Sequence, residues 1–386
     1  MFILNKLKNG LNLMTQKVVE THQSSSQMRD EYPLISIIVL NYNSKKFIGT
    51  CIESILQSYY PNFEIVLVDN NSNDGSLELV EAIFGDDKRI RIIRNTENYG
   101  YAEGNNIGIK HAKGSYVVII NPDIRIDDRF WLKKLVDVML RDGSIGIAAP
   151  AILSYDSENV QAAGMGFLYP FCSVFTLYKN WSYHAFLKKC PRPFQVFVVG
   201  GECMIVRKDV LEKIGLFDAT YFMYYEEVDL CWRAWISGFS VVTVPASSVH
   251  HYSGGSTDVS KNYPIVAYYY ARNCTRTILK NAGKKYVLVL FISAQLLALA
   301  GKLYILLRLR RAEGLYQYLS ALWSNLKSLP ETMVKRKEIQ RRVRRIDDDE
   351  YLWKVMLHLS LEEMIHRHNS TATFRAQVKN KAIQKK

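Results

Sequence analysis

The stretch that most constrains the fold of this chain is VVIINPD, residues 117–123. Four consecutive β-branched apolar residues predict a strand that is buried on both faces of a parallel sheet. Pro122 has a fixed φ and no backbone N–H, so we expect the strand to end there. Asp123 then lies at the carboxyl end of a central strand, where open α/β sheets bind ligands. A carboxylate there suits a divalent cation that carries phosphate oxygens, and capping of the next helix is the alternative interpretation.

Predicted strands and helices alternate before this strand. Strands are expected at 34–40, 63–68 and 91–93, and helices at 45–58, around 77–83 and at 101–112. Alternation with short connections predicts a parallel sheet that is covered by helices, with right-handed crossovers. Ser44 is a good N-cap for the helix over 45–58. The expected fold class is therefore α/β.

Polar residues follow three of the predicted strands. Asn41 and Asn43 follow the first strand, Asp69 ends the second, and Asp123 follows the fourth. Because parallel strands place their carboxyl ends at one edge of the sheet, these side chains are expected to meet there. Asp69 can accept a hydrogen bond from a ribose or a base amide in that position, and an Asx-turn is its alternative interpretation.

An aromatic insert and a pair of glycines come next. Residues 151–194 are irregular and aromatic, which is typical either of a substrate-selecting loop or of a hydrophobic flap over the core. A strand is expected at 196–199, and Gly200, Gly201 and Glu202 follow it. Glycines at such a position let a ligand approach the backbone closely.

Two polar clusters lie further along the chain. Glu226, Glu227 and Asp229 follow the run YFMYY, and His250 and His251 follow a strand predicted at 241–244. The acids suit a helix N-terminus, but an aromatic wall also desolvates a carboxyl group and makes it a general base. A neutral imidazole at a strand end can bind a metal or a phosphate, although a single histidine is more often structural.

Six segments in order resemble the inverting nucleotide-sugar enzymes of glycosyltransferase family 2, in their rhamnosyltransferase-like branch. The segments are SIIVLNYN (36–43), VLVDNNSNDG (66–75), NYGYAEGNNIG (98–108), NPD (121–123), GLFDATYFMYYEEVDLCWR (215–233) and PASSVHHYSGG (245–255). Each segment is weak evidence alone, but all six in this order are highly specific. The resemblance implies a GT-A fold, in which a nucleotide-binding, mainly parallel sheet is covered by helices.

The resemblance also implies roles for individual residues. Asp69 would contact the base or ribose, and Asp123 would be the last acid of the metal-binding D-x-D element. Glu227 falls at the position of the catalytic base, and His251 where some members place an additional metal ligand. The implied donor-binding set is Asn41, Asn43, Asp69, Asn98, Gly100, Asn105 and Asn121, and the acceptor-binding set is Gly200, Gly201 and Glu202.

Two departures from the family pattern bear on these roles. Asn121 stands where D-x-D has its first acid, so a Mg²⁺ or Mn²⁺ ion would rest on Asp123, His251 and the donor phosphates. The base position reads Glu-Glu where Glu-Asp is more usual. The longer side chain leaves Glu226 and Asp229 as alternative bases.

The expected function is metal-assisted transfer of a sugar from a nucleoside diphosphate sugar to a hydroxyl group of a glycan or lipid-linked acceptor. A nucleotidyltransferase acting on sugar phosphates is one alternative, but it would need a glycine-rich basic loop after the first strand, where residues 41–44 read NYNS. A catalytically inactive binding protein on the same fold is the other. The presence of Asp123, Glu227 and His251 weighs against it.

The net charge of +13 is concentrated in one segment. Residues 302–345 hold 12 Lys or Arg against 3 Glu, a net +9, which lies outside the predicted catalytic domain and argues against a nucleic-acid partner. The six cysteines form no C-x-x-C pair, which argues against a zinc ribbon or a disulfide framework and fits a reducing compartment.

Three regions are predicted: a flexible arm over 1–32 without the apolar core of a signal peptide, a catalytic domain over 33–276, and a helical, basic, membrane-associated appendage over 277–386.

The apolar run 286–307 contains Lys302 and is marginal for a membrane span. A span would also place the basic tail outside, against the positive-inside rule. We therefore expect a cytoplasmic protein that is peripheral on the inner face of the membrane, with 335–345 on anionic lipid. A true span and a helix buried against the domain are the alternatives.

Overall fold

The structure is a computed structural model that describes residues 32–252, 263–309 and 312–355. The arm expected over 1–32 lies outside the described residues except for Tyr32. Gly254 and Gly255 of the last matching segment also lie outside them, as does the end of the C-terminal region.

A mixed ten-stranded sheet forms the centre of the molecule, and its main path runs β10-β12-β6-β11-β4-β1-β2-β3, with β5 beside β12 and β7 beside β6. Strands β8 and β9 form a separate hairpin. The strands are β1 (Ile35–Asn41), β2 (Phe63–Asp69), β3 (Ile90–Arg94), β4 (Tyr116–Ile120), β5 (Ile124–Arg125), β6 (Ile145–Ser154), β7 (Val160–Ala162), β8 (Met165–Leu168), β9 (Ser173–Thr176), β10 (Phe194–Gln195), β11 (Cys203–Arg207) and β12 (Ser240–His251).

The expected parallel sheet is confirmed in the first half of the chain. Strands β3, β2, β1 and β4 are parallel neighbours, whereas β11 runs antiparallel between β4 and β6. Strand β4 is buried on both faces, as its sequence predicts. Val117 and Ile119 point into one hydrophobic core, and Val118 and Ile120 point into the other.

Helices cover both faces of the sheet. The first seven are α1 (Ile48–Leu56), α2 (Ser76–Phe84), α3 (Gly100–His111), α4 (Trp131–Arg141), α5 (Tyr183–Lys189), α6 (Lys208–Ile214) and α7 (Glu226–Ile236). Helices α1, α2 and α4 bury their apolar side chains in one core, and α3, α6 and α7 bury theirs in the other. This arrangement leaves the carboxyl ends of the parallel strands open at one edge of the sheet.

Two local predictions are wrong. Helix α1 begins at Ile48, and the Ser44 hydroxyl donates to Asn41 Oδ1 instead of capping the helix. The strand expected at 196–199 is not part of the sheet ladder. The backbone of this buried segment bonds to two different strands: the Val196 amide donates to the Val241 carbonyl, and the Phe197 amide donates to the Met165 carbonyl.

The C-terminal helices pack directly on the sheet and helices described above. They are α8 (Tyr263–Asn281), α9 (Val287–Leu309), α10 (Glu313–Lys327), α11 (Leu329–Glu338) and α12 (Asp348–Val355). Trp232 Nε1 of α7 donates to the Tyr351 hydroxyl of α12 over 2.6 Å, and Ile278 of α8 lies in the same core as Trp232. The domain boundary expected at 276 therefore falls inside α8, and residues of the helices beyond it lie in the same hydrophobic core as α7.

Candidate active site

A cavity of about 500 Å³ opens at the carboxyl ends of β1, β2 and β4. Ten of the residues predicted for the site line it: Asn98, Gly100, Asn121, Asp123, Gly200, Gly201, Glu202, Glu226, Glu227 and His251. Five others do not line it: Asn41, Asn43, Asp69, Asn105 and Asp229. The structure thus brings the predicted metal ligands, acids and glycines together from five separate parts of the chain.

Asp123 and His251 form a pair at one end of the cavity. Antiparallel pairing of β5 with β12 places His251 opposite Ile124, the residue after Asp123. His251 Nε2 lies 3.3 Å from Asp123 Oδ1, and His251 Nδ1 lies 3.0 Å from Gln161 Oε1. Burial lowers the pKa of His251, but the hydrogen bond and charge of Asp123 outweigh burial and raise that pKa.

This pair fits a divalent cation. When Nδ1 of His251 donates to Gln161, Nε2 presents its lone pair toward the Asp123 carboxylate, and a cation between the two would relieve their repulsion. One carboxylate oxygen and one imidazole nitrogen are ligands that Mn²⁺ accepts. Among the described residues no group of three His, Cys, Asp or Glu side chains could hold a metal, so phosphate oxygens would have to complete the coordination.

Asp69 braces the loop that follows β2. Its Oδ1 accepts from Asn41 Nδ2 at 2.7 Å, and its Oδ2 accepts from the Ser72 amide at 3.0 Å. Asn43 holds the same loop, because its Oδ1 accepts from the Asn73 amide at 2.9 Å. The Asp69 carboxylate therefore has a structural role in this loop, although it bonds the amide three residues on and not the second one, as an Asx-turn would. A contact of these three side chains with a nucleotide stays a prediction.

Residues next to these predicted positions line the cavity instead. Tyr42 does so between the two asparagines, and Asn70 does so after Asp69. Asn70 Nδ2 donates to the Gly100 carbonyl at 3.0 Å and ties the loop after β2 to helix α3. The alternation of side chains along an extended segment was the available signal, because neighbouring residues point to opposite sides.

Glu226 and Glu227 open helix α7 and line the same cavity. Glu226 is 5% exposed, and its Oε2 has no hydrogen-bond partner among the described residues. Burial, and then the charge of Glu227, hold the pKa of Glu226 well above its ordinary value. Burial also raises the pKa of Glu227 to about 7, and the charge of Glu202 adds to this shift. A carboxyl group with a pKa near neutrality suits a general base.

Asp229 lies on the far side of α7, which corrects its place among the candidate bases. Its Oδ2 accepts from Arg233 Nε at 2.9 Å, and its Oδ1 lies 2.9 Å from both Lys280 Nζ and Asn281 Nδ2. Burial alone would raise the pKa of Asp229, but Arg233 and Lys280 outweigh burial and lower it. The spacing of four between Asp229 and Arg233 was the sequence signal for this structural role.

The remaining donor-side prediction, Asn105, is buried inside α3. Its Nδ2 donates to the Tyr101 carbonyl at 2.9 Å, one helical turn back. Tyr101 itself lines the cavity, and its hydroxyl donates to the Gly201 carbonyl at 2.5 Å. Sequence reasoning also missed Lys179 in the aromatic insert and Tyr270 on α8, which both line the cavity. Nothing in the local sequence marks either residue.

Comparison with known proteins agrees with this geometry. The family model described as Glycosyl transferase family 2 matches residues 36–215. The low-salt glycan biosynthesis hexosyltransferase Agl10 of Haloferax volcanii is 29% identical over 206 residues, which cover 52% of this chain and 61% of that protein. The chain covers only part of the curated relatives compared, from 20% to 61% of their own length.

Two solved structures share the fold. Residues 1–349 of S. aureus TarS, in complex with UDP-GlcNAc, match with a TM-score of 0.52 and 17% identity over 87% of this chain and 92% of that one. The mannosyltransferase PcManGT from Pyrobaculum calidifontis, in complex with GDP-Man and Mn²⁺, matches with a TM-score of 0.50 and 18% identity over 77% and 76%. At these identities the likeness concerns the fold.

Proposed function

Because this chain carries a glycosyltransferase family 2 domain of the GT-A fold, we propose that it moves a sugar, with inversion, from a nucleoside diphosphate sugar to a hydroxyl group of a glycan or lipid-linked acceptor. One observation supports this proposal above the others. The Asp123–His251 pair and the proton-binding Glu227 line the same cavity. A charge-compensating end and a basic end are the two parts that displacement of a nucleoside diphosphate needs.

The residues divide the reaction between them. Glu227 takes the proton of the acceptor hydroxyl as its oxygen forms a bond to the anomeric carbon, while the bond from that carbon to the diphosphate oxygen breaks. A divalent cation held by Asp123 and His251 would neutralise the charge that develops on the leaving diphosphate. The two neighbours of known structure were solved with nucleotide sugars, one of them with Mn²⁺, which supports this assignment.

Glu226 has a different part in the proposal. Burial and the charge of Glu227 raise the pKa of Glu226 well above its ordinary value, which favours the neutral carboxyl group and lessens its repulsion of an ionised Glu227. Glu226 Oε2, which has no hydrogen-bond partner in the part of the chain that the structure describes, is then available to a sugar hydroxyl. Gly200, Gly201 and Glu202 line the same cavity and are proposed to contact the acceptor.

A donor panel tests the proposed activity. Purified protein would be incubated with UDP-, GDP-, dTDP- and CMP-sugars in the presence of Mn²⁺ or Mg²⁺, and release of free nucleotide would be measured. We expect one class of donor to release its nucleoside diphosphate, and we expect a chelator to abolish this release. Release of pyrophosphate from a nucleoside triphosphate and a sugar 1-phosphate would favour the nucleotidyltransferase. If the protein catalyses neither reaction and binds no nucleotide, both functions are refuted.

We further propose that helices α9 and α10 hold this enzyme on the inner face of the membrane. Residues Val287–Arg308 are long and apolar enough to cross a membrane by length and composition, yet only 12% of the apolar window is buried, which argues against the buried-helix alternative. On α10, Trp323 is 61% exposed. An apolar surface that spreads over two neighbouring helices suits the boundary between lipid headgroups and chains. A spanning α9 remains the other arrangement that the test below addresses.

The basic segment 335–345 contributes less to this surface than its sequence predicts. Lys335 Nζ lies 2.7 Å from Asp218, Arg336 donates to the carbonyls of α8, and Arg344 pairs with Asp348 at 2.8 Å. These side chains hold α11 and α12 against the domain, because buried carbonyls and carboxylates need partners. The exposed cations that are left for anionic lipid are Lys337, Arg341, Arg342 and Arg345.

A further inference from the structure

The turn that precedes Glu226 has an unusual backbone. Phe222, Tyr224 and Tyr225 all have positive φ, at 65°, 66° and 71°. Residues with a side chain seldom adopt this region, and they keep it only where the surroundings impose it. Something must therefore hold the turn 222–225 in place directly before the two glutamates.

Asn273 of α8 holds this turn from one side. Its Nδ2 lies 3.1 Å from the Tyr221 carbonyl, 2.9 Å from that of Met223 and 2.7 Å from that of Tyr224. The side chain is fully buried. Arg272 fixes its orientation, because Arg272 Nε donates to Asn273 Oδ1 at 2.9 Å. One amide group thus lies within hydrogen-bond distance of three carbonyls of the turn, and the carbonyls of Met223 and Tyr224 are those it approaches most closely.

Helix α3 holds the same turn from the other side. The Phe222 carbonyl accepts from the Tyr101 amide at 2.6 Å and from the Ala102 amide at 3.2 Å. Gly100 makes this approach possible, since a Cβ atom there would lie 2.5 Å from the Phe222 ring. The turn is therefore held between two helices: α3, which borders the cavity, and α8, which lies outside residues 36–215 of the family match.

We propose that Asn273 is a positioning residue, which aims Glu226 and Glu227 into the cavity by fixing the turn before them. Helix α7 begins at Glu226, so a rotation of residues 222–225 would redirect its first two side chains. The inference rests on the proposed role of Glu227. It makes α8 a working part of the catalytic site.

Asn273→Ala removes the three contacts, and Asn273→Ser keeps a single donor in a smaller side chain. Thr275→Val is the matched control, because Thr275 is buried on the same helix and contacts Gln295 and its own helix instead of the turn. The measurements are nucleotide release with Mn²⁺ across pH, the Kd for nucleoside diphosphate with Mn²⁺, and amide hydrogen exchange of the peptide over 219–230.

A misdirected base costs roughly 10- to 100-fold in kcat, since misplacement by about 1 Å has that effect. We expect this loss in Asn273→Ala, a smaller loss in Asn273→Ser, a shifted acid limb of the pH–rate profile, faster exchange over 219–230 and an unchanged Kd. Unchanged exchange or unchanged kcat in a folded Asn273 variant would overturn the inference, as would the same effects in Thr275→Val. Wild-type turnover in Glu227→Gln would instead refute the proposed function.

Discussion

His251 Nε2 lies 3.3 Å from Asp123 Oδ1 because the last residues of β12 pair with the short strand β5. The pairing brings together two strand ends that are distant in the sequence and directs both side chains into one cavity. The second ring nitrogen of His251 is held by Gln161, which fixes the orientation of the imidazole. This arrangement supports the proposal that the pair holds a divalent cation.

Removal of the carboxylate should abolish the metal dependence of donor binding. In Asp123→Ala, the nucleoside diphosphate loses its bridging cation, so calorimetric titration with Mn²⁺ should show no gain in affinity over titration without metal. Asp127→Asn is the control, since Asp127 is an exposed acid near this edge that pairs with Arg125 and His250 and does not line the cavity. Wild-type, Mn²⁺-dependent affinity in Asp123→Ala would disprove the metal assignment.

Replacement of the proposed base should lower turnover while binding persists. Removal of a positioned general base costs about 10²- to 10⁴-fold, so Glu227→Gln should lose activity by that order and keep its Kd for the nucleotide. Steady-state nucleotide release and titration measure the two quantities separately. A larger loss in Glu226→Gln would move the base to Glu226.

The raised pKa of Glu227 predicts opposite pH effects on rate and stability. The base must be ionised, so the rate should rise with pH to a midpoint near the pKa of about 7 and then level off. Between pH 4.5, the ordinary pKa, and about 7, Glu227 keeps its proton in the folded state but loses it in the unfolded state. The free energy of unfolding therefore falls as pH rises through that window. Thermal melts should show Glu227→Gln more stable than wild type above pH 7 and equal to it at pH 4.5. Glu53→Gln, a substitution at an exposed site, is the control and should show no such pH-dependent difference from wild type.

Asp229→Asn should damage the fold more than the chemistry. The substitution leaves Arg233 and Lys280 buried with less compensating charge, and breaking a buried ion pair costs about 3–5 kcal/mol. Urea unfolding should show this loss, whereas Asp209→Asn, which breaks exposed pairs, should cost at most about 1 kcal/mol. A stable Asp229→Asn enzyme without turnover would return Asp229 to the list of bases.

Cell fractionation tests the membrane proposal. The protein should pellet with membranes and be released by alkaline carbonate, because an interfacial helix is held less firmly than a span. Substitution of exposed Leu296, Leu319 and Trp323 by Gln should shift it to the soluble fraction, whereas Leu140→Gln, at an exposed site on α4, should not. Resistance to carbonate would mean that α9 spans the membrane, and a soluble wild-type chain would mean that neither arrangement holds.

Periodicity and turn chemistry were sufficient for the first half of the fold. The four β-branched residues of β4 form the predicted central strand, and Pro122 ends it as expected. Local signals fail where another side chain competes for the same group. Ser44 was predicted to cap α1, but its hydroxyl donates to Asn41, whose own side chain is held by Asp69 of the neighbouring strand. The boundary predicted at 276 falls inside α8, and this helix carries Asn273 to the carbonyls of the turn before α7 and Lys280 to Asp218 and Asp229.

The sequence by itself determined the α/β class, the resemblance to glycosyltransferase family 2 and the strand ends that carry Asp123 and His251, because hydrophobic periodicity, motifs and chain order can be read along the sequence alone. Only the tertiary structure separated Glu227 from Asp229. Glu227 and Asp229 lie two residues apart on α7 and therefore face nearly opposite directions, so Glu227 lines the cavity while Asp229 meets Arg233 and Lys280. That difference comes from burial and from charges distant in the sequence, which the order of residues along one helix cannot express.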